Sequence, residues 1–242
     1  MKALVFVHGY LGGSAQWDDQ VRAFSSQYQV ITPDLPGFGK NCAMPALETI
    51  GGCAEYVLDY VQALGVDRFD LVGHSMGGMI VQEMIARAPH RVDRLLLYGT
   101  GPVGLLPGRF ETIEESKRRV IQDGPEATGR RISATWFVDY DQAPNYPVCA
   151  DLAVTASQQA ALAGLTAMEQ WSGEAALADI RSPTLVLWGD CDRTYLWSQQ
   201  QRLWQGIDNA QLSVVPGCAH AAHLEKPLLF NALVEDFLQP RQ

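Results

Sequence analysis

Ser75 lies in Leu71-Val72-Gly73-His74-Ser75-Met76-Gly77-Gly78, with a glycine two positions to either side. The segment begins as an apolar run and is followed by a helical pattern, Met79-Ile80-Val81-Gln82-Glu83-Met84. Gly-x-Ser-x-Gly between a strand and a helix suits a serine nucleophile, because glycines permit the sharp turn that lifts the hydroxyl out of a sheet. A serine hydroxyl is a poor nucleophile near neutral pH, so it needs a histidine to take its proton and a carboxylate to orient that histidine. Asp192, in Trp188-Gly189-Asp190-Cys191-Asp192, and His220, in Val215-Pro216-Gly217-Cys218-Ala219-His220, each follow an apolar run by a few residues and are the expected acid and base. Asp190 directly follows Gly189 and suits a turn former that bonds its own backbone. His223 stands where a helix is about to begin, at Leu224-Glu225-Lys226-Pro227, and reads as a structural histidine. His220 and His223 lack further ligands at metal-site spacing and H-E-x-x-H is absent, so no metal is expected.

Attack on a carbonyl also needs donors for the oxyanion, and losing one such donor typically costs roughly a hundred- to a thousand-fold in rate. The backbone N–H of Met76, next to the nucleophile at a helix start, is one candidate. The N–H of Tyr10, in His8-Gly9-Tyr10-Leu11-Gly12-Gly13 after the first apolar run, is the other. His8 is expected to shape that loop by local hydrogen bonding. Gly99-Thr100-Gly101-Pro102-Val103-Gly104 matches a dinucleotide fingerprint by spacing, but Pro107-Gly108 interrupts the helix that would receive a pyrophosphate. Gly37-Phe38-Gly39-Lys40-Asn41 lacks the spacing of a phosphate-binding loop. No cofactor is expected.

The elements that must position these groups are legible as an alternation. Apolar runs at 3–7, 29–32, 69–72, 94–98, 184–188 and 212–215 read as buried strands. Helical patterns at 55–64, closed by Gly65, and at 228–237, opened by Pro227, lie between or after them. The fold class is therefore α/β, a mostly parallel sheet of about six strands flanked by helices, with functional residues at the strand C-termini. Residues 101–180 break the rhythm with helical patterns at 113–121 and 158–163 and no convincing strand. The expected division is a core of 1–100 and 181–242 with 101–180 inserted as a helical cap. Phe110, Trp136, Phe137, Tyr140, Tyr146 and Trp171 are many aromatics for that insertion. Trp136, Phe137 and Trp171, with Tyr10, are the expected substrate-binding residues.

Composition narrows the partners. The 242 residues carry a net charge of −9, with only four lysines, so a nucleic acid would meet repulsion. No run reaches the roughly 20 apolar residues needed to span a bilayer. The first apolar run enters His8-Gly9 directly and reads as a strand rather than a leader. Five scattered cysteines without a C-x-x-C pair suit reduced thiols in a cytoplasmic protein. A small-molecule substrate and a monomer or small homo-oligomer are expected.

His8-Gly9, Pro33-Asp34-Leu35-Pro36-Gly37-Phe38-Gly39, the Ser75 segment, Gly189-Asp190-Cys191-Asp192 and Pro216-Gly217-Cys218-Ala219-His220 together resemble the α/β-hydrolase superfamily. The order Ser75, Asp192, His220 is also that of these hydrolases. The resemblance implies a catalytic triad of these residues, an acyl-enzyme mechanism and a helical cap. It is similar to the small-cap branch of carboxylesterases, enol-lactonases, carbon–carbon hydrolases and a pyruvate-eliminating synthase. Relatives usually have two strands before the one that precedes His8-Gly9, so a shortened sheet of six strands is expected. Carbon–carbon hydrolases commonly carry Asn before the serine, where this chain has His74. The expected activity is a serine hydrolase, a carboxylesterase acting on a small ester or lactone. Its alternatives are a carbon–carbon hydrolase or lyase using the same triad, and a ligand-binding receptor on the same scaffold.

Overall fold

The computed structural model describes residues 1–239. Six strands, β1 (Lys2–Val7), β2 (Tyr28–Ile31), β3 (Phe69–His74), β4 (Val92–Tyr98), β5 (Thr184–Gly189) and β6 (Ala210–Val215), form one sheet. Its order is β2-β1-β3-β4-β5-β6 and every neighbouring pair is parallel. The six strands match the expected number. The helices are α1 (Asp18–Phe24), α2 (Ile50–Ala63), α3 (Met76–Arg87), α4 (Ile113–Gln122), α5 (Pro125–Ala134), α6 (Tyr146–Ala153), α7 (Gln158–Glu169), α8 (Trp197–Gly206), α9 (Ala222–Glu225) and α10 (Pro227–Leu238).

Alternate residues of a strand face opposite sides of a sheet, so a strand covered on both sides must be apolar throughout. β1 follows that rule. Leu4 and Phe6 pack with Val72, Leu96 and Leu187 against Trp17, Phe24 of α1 and Phe230 and Val234 of α10. Ala3, Val5 and Val7 pack with Leu71, Leu95 and Val186 against α2, α3 and Leu203 of α8. The result is three layers, with α1 and α10 on one face of the sheet and α2, α3 and α8 on the other.

The strand order positions the site. The chain leaves β1 toward β2 on one side and leaves β3 toward β4 on the other, so a crevice opens between the C-terminal ends of β1 and β3. Residues 8–13 and Ser75 sit at those two ends. Between β4 and β5 the chain forms α4 to α7 and contributes no named strand, only an isolated bridge between Val103 and Ser172. No helix among the described residues is long and apolar enough to cross a membrane.

Candidate active site

Ser75 joins β3 to α3 with φ 59° and ψ −122°. A non-glycine residue held there costs about 1–3 kcal/mol and persists only where its surroundings enforce it. The two glycines do so by letting strand, helix and neighbouring loop close up. A Cβ on Gly73 would lie 2.4 Å from the Gly77 carbonyl oxygen, and one on Gly77 would lie 2.2 Å from that of Val7. The α3 helix begins at Met76, so its first N–H groups lack intrahelical acceptors. Gly9 passes so close to the turn that a Cβ there would sit 2.7 Å from Ser75 Cβ. Tyr10 follows Gly9 and Met76 follows Ser75, and neither N–H donates to a backbone acceptor in the loops and turns among the described residues.

Asp192 and His220 follow β5 and β6. Asp192 Oδ2 lies 2.8 Å from His220 Nδ1, with His220 1% and Asp192 4% exposed. The other oxygen, Oδ1, accepts the N–H of Thr194 at 2.7 Å and of Tyr195 at 3.1 Å. An imidazole N–H must face the carboxylate, so Nδ1 carries the proton and Nε2 is left to accept one. Ser75 and His220 line one cavity, without a hydrogen bond between them among the described residues. Tyr195 lines the same cavity and stacks its ring on His220, with centroids 5.5 Å apart.

The rival residues have other partners. Asp190 Oδ1 accepts the Gly217 N–H at 2.6 Å, tying the loops after β5 and β6 together. His223 is wholly buried, lies 3.0 Å through Nδ1 from the Tyr98 hydroxyl and packs against Trp17. His8 Nδ1 lies 2.8 Å from the Gly9 carbonyl within its own loop, and Nε2 accepts the Leu35 N–H at 3.0 Å, which ties that loop to a second one. The Gly99–Gly104 loop leads into no helix before α4, and Gly99 packs against His220.

Under the site lies a cluster of neutral histidines. The His220 carbonyl accepts from the Tyr98 hydroxyl at 2.8 Å and lies 3.0 Å from His74 Nε2. Burial lowers His74 far below the ordinary imidazole range and His223 to about 3. His74 stacks on Tyr98 at 4.5 Å. These contacts hold the backbone of His220 from beneath.

The cavity wall is only partly the expected one. Tyr10 and Trp136 line it, together with Arg109, Phe110, Ile113, Ile132, Met168, Thr194 and Tyr195. Phe137 and Trp171 do not. Phe137 is fully buried and meets Tyr146 edge to face at 6.3 Å, inside the core of the helical segment. Trp171 is directed to Glu83 of α3, with Nε1 3.3 Å from Oε2. A count of aromatics cannot separate those facing a cavity from those that fill the core beside it, and both residues are corrections to the expected pocket.

Arg109 and Tyr195 were not anticipated. Arg109 Nη1 donates to the Glu111 carbonyl and to Ser116 Oγ, and its guanidinium lies over Phe110. It makes no salt bridge among the described residues, since Glu111 is held by both nitrogens of Arg131. Tyr195 could have been suspected from its place three residues after Asp192, whereas nothing in the sequence marks Arg109. No cluster of His, Cys, Asp or Glu suited to a metal occurs among the described residues.

The chain belongs to the α/β-hydrolase fold family, whose model matches residues 2–227. It is 31% identical to the 2-hydroxy-6-oxo-2,4-heptadienoate hydrolase of Pseudomonas putida, over 97% of this chain and 88% of that protein. It is 29% identical to the 2-hydroxy-6-oxo-6-phenylhexa-2,4-dienoate hydrolase of Comamonas testosteroni, over 99% and 88% of the two chains. Among solved structures it is similar to a bromoperoxidase from Bacillus anthracis, with a TM-score of 0.91, 25% identity and coverage of 99% and 92%.

Proposed function

We propose that the protein is a serine hydrolase that cleaves a small carboxylic ester or lactone through an acyl-enzyme on Ser75. The observation that carries this reading is a strained serine and His220 on one cavity, with His220 held by Asp192 and with unpaired backbone N–H groups in the loop beside the serine and at the start of α3. His220 Nε2 takes the Ser75 proton as Oγ bonds to the carbonyl carbon. The carbonyl π pair moves to oxygen, where the N–H groups of Tyr10 and Met76 receive it. Collapse expels the alcohol oxygen, which takes the proton from His220. Water, deprotonated by His220, then releases the acid.

Residues 101–180 act in this reading as a cap, supplying Arg109, Phe110, Trp136 and Met168 to the cavity wall. The cavity leaves about 20 Å³ free, the room of about one water. Substrate entry therefore requires wall side chains to move.

A second reading is favoured by Arg109 and by two relatives that hydrolyse dienoates. A guanidinium without a carboxylate partner beside the nucleophile suits a substrate that carries its own carboxylate. The same triad would then cleave a carbon–carbon bond. Comparing wild type and Ser75→Ala on p-nitrophenyl esters, lactones and a 2-hydroxy-6-oxo-dienoate tests both readings. The expected result is ester or lactone turnover lost in the variant. Turnover of the dienoate alone would select the second reading, and equal rates in wild type and Ser75→Ala would exclude both.

A further inference from the structure

His220 stands in the short loop between β6 and α9, and the residues on either side of it are tied down through their main chains. The N–H of Ala221, after it, donates to the Trp136 carbonyl at 2.8 Å. The N–H of Ala219, before it, donates to Glu225 Oε2 at 2.6 Å. Glu225 reaches back to Ala219 because α9 is a single turn of four residues, whose Leu224 and Glu225 N–H groups both return to the Ala221 carbonyl, at 2.8 and 3.0 Å. The carbonyl of His220 itself accepts from the Tyr98 hydroxyl.

The second oxygen of Glu225 makes the link to the helical segment. Glu225 Oε1 accepts the N–H of Val138 at 2.7 Å. Both bonds are at the short end of the N–H···O range, as expected when the acceptor is an ionised carboxylate. The carbonyls of Val138 and Phe137 in turn accept from the guanidinium of Arg193, the residue after Asp192, at 3.2 and 2.8 Å. The loop that carries Asp192 and the loop that carries His220 therefore meet on one stretch of chain, 136–138, and Glu225 joins that stretch to the base. Glu225 is half-buried and is not part of the cavity wall, so it touches no substrate and acts only through His220.

We propose that Glu225 is a positioning residue for His220, fixing the main chain before the imidazole and tying it to residues 136–138. The inference rests on the serine-hydrolase reading. Asp192 holds one edge of the imidazole at Nδ1, so where Nε2 sits relative to Ser75 Oγ depends on the backbone from which the ring is hung. A misplacement of about 1 Å at a reacting group can cost about 100-fold in rate even when its cause lies away from the chemistry. Glu225 exchanges no proton in this role. It keeps the base in place while the Ser75 proton moves to Nε2 and later returns.

Glu225→Gln tests the assignment. Its amide oxygen can accept one of the two N–H groups, while its NH2 opposes the other. With p-nitrophenyl acetate, kcat per Ser75 titratable by a fluorophosphonate should fall about 10- to 100-fold, while KM stays within about two-fold because the wall is untouched. The rate of fluorophosphonate labelling should fall by a similar factor, and the far-downfield proton resonance of His220 Nδ1–H should shift or broaden. Glu225→Asp, which keeps the charge on a shorter arm, should lie between Glu225→Gln and wild type. A merely structural role would lower the urea midpoint and leave kcat per titrated serine, labelling rate and resonance unmoved. That result would overturn the assignment to Glu225 with the serine mechanism standing, whereas absence of labelling in the wild type would overturn both. Should the variants fail to fold, amide exchange in the wild-type protein decides: Ala219 and Val138 should exchange slowly, and exchange at the rate of free amides would contradict the link.

Discussion

Both oxygens of Asp192 are occupied, one by His220 and one by two backbone N–H groups, and that occupancy suits it to the proposed role of orienting carboxylate. Asp190, two residues earlier, serves the Gly217 N–H instead. Asp192→Asn should therefore lower kcat by about 10⁴, because an amide donor facing Nδ1 favours the wrong imidazole tautomer. Asp190→Asn should stay within about ten-fold of wild type. Steady-state kinetics of the two variants check the ranking, and the reverse order would reassign the acid. At this scale the sequence was informative where chemistry restricts residue type and spacing, as for Ser75, Asp192 and His220. It was silent on Arg109, whose place in the cavity wall depends on which way a loop side chain turns. The same silence explains why Phe137 and Trp171 were expected in the pocket: a buried aromatic has the same pattern whether it faces a cavity or a core.

The elements act through close approach. α3 can start at Ser75 only if its first turn nests against the end of β1, and Gly77 is the point of contact. Gly77→Ala should cost about 3 kcal/mol, measured as the shift in urea unfolding, because the Cβ meets backbone that cannot rotate away. An unchanged midpoint would show that the turn is looser than described. The segment after α5 is fastened to the loops that carry the proposed acid and base. The Ala221 N–H donates to the Trp136 carbonyl, Arg193 donates to the carbonyls of Phe137 and Val138, and Asn145 donates to that of Leu224. Trp136 is thus a fixed part of the wall. Trp136→Ala should shift preference toward longer acyl chains by about four-fold in kcat/KM for each added methylene it admits, whereas Trp171→Ala should not. A p-nitrophenyl acetate-to-octanoate series separates the two. The six strands were legible from their continuous apolar runs, with ends shifted by a residue or two. Helices α1, α5, α6 and α8 were not singled out, because α1 and α6 are short and α5 and α8 mix polar with apolar residues.

The molecule as a whole keeps three buried histidines neutral. His8, His74 and His223 are held below the ordinary imidazole range, each by burial first of all. Unfolding lets them bind protons below about pH 6.5, so the unfolded state takes up more protons than the native one and stability falls as pH drops from there toward 3. His223 alone should contribute about 2 kcal/mol of that loss by pH 5. Asp70 and Glu225, raised by burial, work in the opposite direction. Urea midpoints at pH 7.5 and pH 5 should therefore differ clearly, the lower pH being the less stable, and equal midpoints would contradict a neutral histidine cluster. The central claim is that the sheet, the turn at Ser75 and the loops after β5 and β6 together activate one serine. Its most direct test is mass-spectrometric mapping of the protein after reaction with a fluorophosphonate, with Ser75→Ala as control. One adduct, on Ser75 and absent from the variant, is the predicted result. An unmodified Ser75, or an adduct that persists in Ser75→Ala, would contradict it.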